Sequence, residues 1–181
     1  MSEVPMDPEG ISGEESELEP LEIERLEPGY GKTVGQAEAA VVEAPDGGEL
    51  LIEGLGPCIG LVGYDKQQKM LFAKHFEFTR PTIDCEVTNF LEKLREQGIT
   101  ITDSAVAGGN LDYEDRERNP TYFEKMTEAK KRLIQSGIAH KSNIDKSEIA
   151  ESTRGDDLAV YYENGEFGIR FEVGHIEEAR S

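Results

Sequence analysis

Basic side chains are scarce in this sequence. It holds 19 Lys and Arg against 38 Asp and Glu, a formal net charge of −19. Phosphate backbones are bound by clustered Lys and Arg, so a nucleic-acid surface is not expected. Long apolar runs are missing as well. No stretch approaches a membrane span, and the N-terminus lacks the basic-then-apolar pattern of a signal peptide, so membrane insertion is not expected and a cytoplasmic location is. Cysteine is limited to Cys58 and Cys85, which match no disulfide framework and suit a reducing compartment. There is no CxxC, HExxH or Walker loop. His75, His140 and His175 lie too far apart in sequence to suggest a metal site, and no cofactor is expected.

The acidity is uneven. Residues 1–29 carry ten acidic side chains and Arg25 as the sole base. Residues 1–31 are rich in Glu, Pro, Gly and Ser, and such a segment buries too little apolar surface to offset the entropy of ordering. They read as a disordered acidic tail, in which Leu18, Leu21, Ile23 and Leu26 form at most a short docking element. Residues 32–175 read as one folded domain and 176–181 as a C-terminal tail.

Within the domain, Val34 to Glu43 includes the run Ala39-Ala40-Val41-Val42, which reads as a strand closed by Pro45-Asp46-Gly47-Gly48. Leu50-Leu51-Ile52 resumes extended and enters Gly54-Leu55-Gly56-Pro57. Ile59 to Tyr64 and Met70 to Phe78 pair antiparallel across Asp65-Lys66-Gln67-Gln68. Thr82 to Gln97 is a helix with Ile83, Val87, Phe90, Leu91 and Leu94 on one stripe and Gly98 as its stop. Ile99 to Ala107 is a buried strand. A second helix runs from Pro120 to Ser136, and Ile138 to Ile144 is a further strand. Leu158 to Tyr162 and Phe167 to Val173 form a hairpin across Asn164-Gly165, a strong turn signal. The fold class is α+β: a layered sandwich of mixed, largely antiparallel sheet with two main helices packed outside.

Chemistry concentrates at Cys58 and His75. A thiol in a glycine-punctuated turn and an imidazole seventeen residues later, on adjacent hairpin arms, are the minimum for a cysteine nucleophile with a general base. They meet if the hairpin is symmetrical about residues 66–67. By residue type alone the commoner roles are structural: free cysteines are mostly small buried hydrophobes, and His75 would be a sheet histidine. Cys85, in the first turn of a helix, reads as structural, and Arg80 as a surface ion-pair partner.

With these residues in view, residues from about Val34 to Val173 resemble the chemoreceptor glutamine deamidase (CheD-like) family. That family shares its cysteine-hydrolase fold with the cytotoxic necrotizing factor toxins. Val34-Gly35-Gln36-Ala37-Glu38-Ala39-Ala40-Val41 is similar to the family's opening strand, and Gly54-Leu55-Gly56-Pro57-Cys58 with Tyr64-Asp65 to its nucleophile turn. His75 stands at the family's cysteine-to-histidine spacing, and Ala107-Gly108-Gly109 is similar to its glycine pair. The resemblance implies Cys58 and His75 as catalytic residues, and Gly56, Cys58, Gly108 and Gly109 as oxyanion or substrate contacts. Its implied activity is conversion of protein glutamine to glutamate, on the helical region of a chemoreceptor or beside a chemotaxis signalling protein. Two positions depart from the pattern: Pro57 replaces a serine, and Ile52 replaces a threonine that orients the histidine or the substrate. A backbone carbonyl or Glu53 is then the expected substitute. The alternative is a catalytically silent module of the same fold that binds a signalling partner.

Overall fold

A computed structural model describes residues 20–56, 58–77, 83–108 and 156–173, with isolated positions between 117 and 142. Among the described residues, ten strands and one helix described throughout follow in order: β1 (Ile23–Arg25), β2 (Gly31–Thr33), β3 (Ala39–Glu43), β4 (Gly48–Ile52), β5 (Ile59–Asp65), β6 (Met70–Phe76), α1 (Ile83–Glu96), β7 (Asp103–Gly108), β8 (Lys141–Ser142), β9 (Asp156–Glu163) and β10 (Glu166–Val173). The strands build a six-stranded sheet in the order β1-β3-β6-β5-β7-β8 and a four-stranded sheet in the order β10-β9-β4-β2. The long central pairs are antiparallel, while β1, β2 and β8 are short edge strands added in parallel. This is the expected α+β sandwich.

Period-two alternation sorts the apolar residues into two cores. Val42, Leu50, Ile52, Leu55, Val62, Leu71, Ala73, Ala105, Leu158 and Val160 fill the space between the sheets. Val41, Ile59, Leu61, Phe72, Phe76 and Val106 point the other way and meet Phe90 and Leu94 of α1. The six-stranded sheet is therefore covered on both faces, which explains the near-continuous burial of β5 and β6.

Helix α1 carries its apolar stripe as expected: Phe90 and Leu94 are buried, with Val87 and Leu91 partly so. Its end is a Schellman motif, in which the Ile99 amide donates to the Leu94 carbonyl at 2.9 Å and the Gly98 amide to the Arg95 carbonyl at 2.9 Å. Of the second expected helix, the described positions, Leu133 among them, are helical; the rest lies outside the described residues, so one helix is described throughout its length. None of the described helices is long and apolar enough to cross a membrane.

β3 begins at Ala39, as the apolar run predicts, after a turn with Ala37 at φ 61°. Other boundaries differ from the sequence reading. The strand expected from Ile99 begins at Asp103. The larger correction is at the front: residues 20–31 are part of the domain. β1 runs beside β3, and β2 beside β4. Leu26 packs on the inter-sheet core and Leu21 on the helix-side core. Arg25 pairs with Glu43 at 2.6 Å and Lys32 with Glu24. Leu21 and Leu26 of this acidic stretch thus dock on the domain, while Ile23 and Tyr30 stay exposed, and the backbone hydrogen bonds of existing strands supply order that composition alone does not. Residues 1–19 lie outside the described residues.

The hairpin that carries the candidate site is fixed by Asp65. This buried carboxylate accepts from the backbone amides of Gln67 at 2.8 Å and Gln68 at 3.0 Å, and from that of Thr100 at 2.8 Å. The turn and the segment after α1 are thereby tied together. β5 and β6 pair with Ile59 opposite Phe76 and Gly60 opposite His75. The hairpin is therefore symmetrical about residues 67–68, one position later than expected.

Candidate active site

The observed register changes how Cys58 and His75 meet. His75 lies opposite Gly60, so Cys58 is displaced by two residues along the neighbouring strand. Two is an even number, and side chains alternate faces, so both residues still belong to the same face of the six-stranded sheet. That face is the inner one. Cys58 packs in the inter-sheet core with Leu55 and Ile52, and His75 follows Leu71 and Ala73 on β6. Diagonal neighbours of this kind have Cβ atoms about 7–8 Å apart or somewhat less, a separation that side chains can bridge.

Both groups are sequestered, Cys58 at 6% exposure and His75 at 3%. Neither His75 Nδ1 nor Nε2 makes a hydrogen bond of good geometry, the Val34 backbone being the polar group nearest to serving the ring, so the thiol and the imidazole are not bonded to each other in this state. A buried ring left unsatisfied in this way costs about 1–3 kcal/mol. Burial holds the His75 pKa below 6.5, with Lys74 lowering it further and the Val34 backbone and Glu77 partly opposing. The ring is therefore neutral at neutral pH, the protonation state a general base needs.

Three further positions complete the site. Gly108 sits at the end of β7 opposite Ile59, with φ +86°. A Cβ there would collide with the Cys58 carbonyl and stand 3.0 Å from that of Leu55, so the lack of a side chain lets two backbone segments close on each other beside the thiol. Ile52 is buried at the end of β4, and its Cδ1 is 3.1 Å from where a Gly60 Cβ would lie. It occupies the roof over the pair with an apolar group. Glu53, the next residue, is exposed. Gly56 is half-buried in the turn, and its amide donates to the Gly54 carbonyl at 2.7 Å. Gly109, Pro57 and Arg80 lie outside the described residues.

Sequence reasoning missed Asp157. Its Oδ1 accepts from the Gly54 amide at 2.8 Å, across 103 residues of sequence, and so ties the turn before Cys58 to β9. The Asn164-Gly165 hairpin signal fixes the β9–β10 pair, but only the pairing of β9 with β4, Ile52 opposite Leu158, brings Asp157 to that turn. Cys85 is exposed and remote in role from the pair. Among the described residues no cluster of three or more His, Cys, Asp or Glu is arranged to hold a metal ion. No protein-family model matches the chain, and no curated protein is detectably similar to it.

Proposed function

We propose that this protein is a cysteine-dependent amidohydrolase that converts a glutamine side chain on a protein substrate to glutamate, in the manner of the CheD-like family it resembles. The observation that carries the reading is His75: a buried imidazole with neither nitrogen in a hydrogen bond of good geometry, on the same sheet face as a buried thiol. Buried polar groups are normally satisfied, and a catalytic role is one of the recognised reasons for an exception.

The chemistry follows from those groups. One unprotonated nitrogen of His75 takes the proton of Cys58, and the thiolate attacks the carboxamide carbon of the substrate. The tetrahedral oxyanion is held by the backbone N–H of Cys58; the Gly56 amide, expected to share this role, donates instead to the Gly54 carbonyl, the Gly54 amide donates to Asp157, and Pro57 has none. The imidazolium protonates the departing nitrogen, and ammonia leaves a thioester on Cys58. Water, deprotonated by the same imidazole, attacks the thioester carbonyl. Cys58 leaves as the thiol, and glutamate remains on the substrate. By resemblance the substrate is the helical region of a chemoreceptor, and the setting the cytoplasmic chemotaxis apparatus.

A second reading is a silent module that keeps the fold and binds a signalling partner. Ile52 favours it, since an apolar side chain over the pair cannot orient an imidazole. Ammonia release from a glutamine-bearing receptor fragment separates the two. Release that is lost in Cys58→Ser and in His75→Ala establishes the enzyme. Absence of release from the parent, with the fragment still bound, establishes the module.

A further inference from the structure

A glutamine carboxamide reaching Cys58 and His75 must displace the side chains packed on their sheet face, and beside Gly60 the nearest of these is Leu55, with Ile52 next to it. Gly60 adjoins His75 across the β5–β6 pair and is two residues from Cys58 along the chain. Where a Gly60 Cβ would stand, Leu55 Cδ1 is 2.6 Å away and Cδ2 3.1 Å. The missing side chain of Gly60 is thus replaced by the isobutyl group of Leu55, over the position opposite His75 and two residues from Cys58.

Leu55 is fully buried, yet the chain on either side of it is open. Glu53 and Gly54 are exposed, and Gly56 is half-buried. Gly54 and Gly56, which flank the leucine, have nothing within 4 Å of where a Cβ would be. Gly54 is held at φ +67°, a conformation a glycine can leave and re-enter at little cost. From outside the turn, the Gly54 amide is held by the Asp157 carboxylate at 2.8 Å.

We propose that Leu55 is a plug over the Cys58–His75 pair, carried on a Gly54–Gly56 swivel and latched by Asp157, which swings outward to admit the substrate's glutamine side chain. Its purpose rests on the deamidase reading; the device itself does not. In the latched state the thiol is shielded from small electrophiles and the imidazole from water. Opening exposes both at once, and an incoming side chain takes the space the leucine leaves.

The test is alkylation of Cys58 by iodoacetamide in the full-length protein at pH 7.5, followed by mass spectrometry, with the exposed Cys85 replaced by serine. Labelling is slow in this parent. Leu55→Ala and Asp157→Ala each accelerate it by about tenfold or more, the loss of one charge-assisted hydrogen bond or of the plug's packing shifting a local opening by that order. Asp157→Asn, whose amide oxygen still accepts from Gly54, stays near the parent rate. Low urea leaves the acceleration unchanged, which separates a local opening from global unfolding. Rates in both alanine variants within about twofold of the parent would overturn the proposal, as would an acceleration with the full urea dependence of unfolding. Acceleration in Leu55→Ala alone would overturn the latch. Accelerated labelling without ammonia release from any variant would instead remove the deamidase and leave the plug standing.

Discussion

His75 faces Gly60 across the β5–β6 pair, so the imidazole has no side chain opposite it, and Leu55 and Ile52 fill the position. A titratable ring is thereby buried beside a position filled by aliphatic groups, with neither nitrogen in a hydrogen bond of good geometry. The arrangement has consequences for stability that do not depend on any reaction.

Protonation of His75 is the first. Its pKa in the folded chain lies below 6.5, burial being the largest cause. Between the two values the unfolded chain binds more protons than the native one, so stability falls as pH drops from about 6.5 through the folded pKa, and above that window His75 contributes no slope. Urea unfolding at pH 7.5 and pH 5.5 reads this directly. His75→Leu removes the unsatisfied nitrogens and the slope. The variant is expected to equal or exceed the parent in stability at pH 7.5, by up to about 1 kcal/mol, and by more at pH 5.5.

The parity of this site was legible in the sequence, but its register was not. The Asp65-to-Gln68 signal located the turn, and the strand run through Asp65 moved the centre of symmetry by one position. Because that moves the pairing by two residues, Cys58 and His75 kept a common face. Helix α1 was legible because five apolar residues at helical spacing outweigh local ambiguity. β1 and β2 were not: three-residue strands in a Glu- and Pro-rich stretch owe their order to partners far along the chain. The roles of Leu55 and Asp157 were hidden for the same reason. A leucine between glycines reads as loop until Gly60 is brought beneath it.

Gly108→Ala is expected to damage fold and site together. The new methyl would collide with the Cys58 carbonyl, and φ +86° is a strained conformation for alanine. A loss of at least about 2 kcal/mol follows from the strain and clash combined. Thermal unfolding measures it. A variant as stable as the parent would mean that the Cys58 segment is free to move away from β7.

The two positions considered for orienting His75 should separate cleanly. Glu53 is exposed, and Glu53→Ala should leave stability within about 0.5 kcal/mol and any ammonia release unchanged. Ile52→Thr removes a buried methyl and introduces a hydroxyl into the roof over Gly60, so stability should fall by about 1–3 kcal/mol. If that hydroxyl finds the unpartnered imidazole, the loss sits at the low end and the His75 titration moves toward its unperturbed value, which histidine NMR would detect. A full loss with no change in the His75 titration would show that the hydroxyl does not reach the ring.

Asp65 tests whether the hairpin register is held from its turn. Its carboxylate satisfies three backbone amides, those of Gln67, Gln68 and Thr100, and it is itself buried. Asp65→Ala leaves those donors without their acceptor, at a cost of about 3 kcal/mol or more. Asp65→Asn keeps one acceptor oxygen but turns an NH2 toward backbone N–H groups, and should recover only part of the loss. Hydrogen exchange would locate the effect. Protection should fall first at residues 66–70 and 98–102, where the turn meets the end of α1, and should persist at Leu61 and Val62, which are paired on both sides by β6 and β7. Loss of protection spreading evenly to Gly60 and His75 would mean that the turn, and not the sheet, sets the register on which the Cys58–His75 geometry depends.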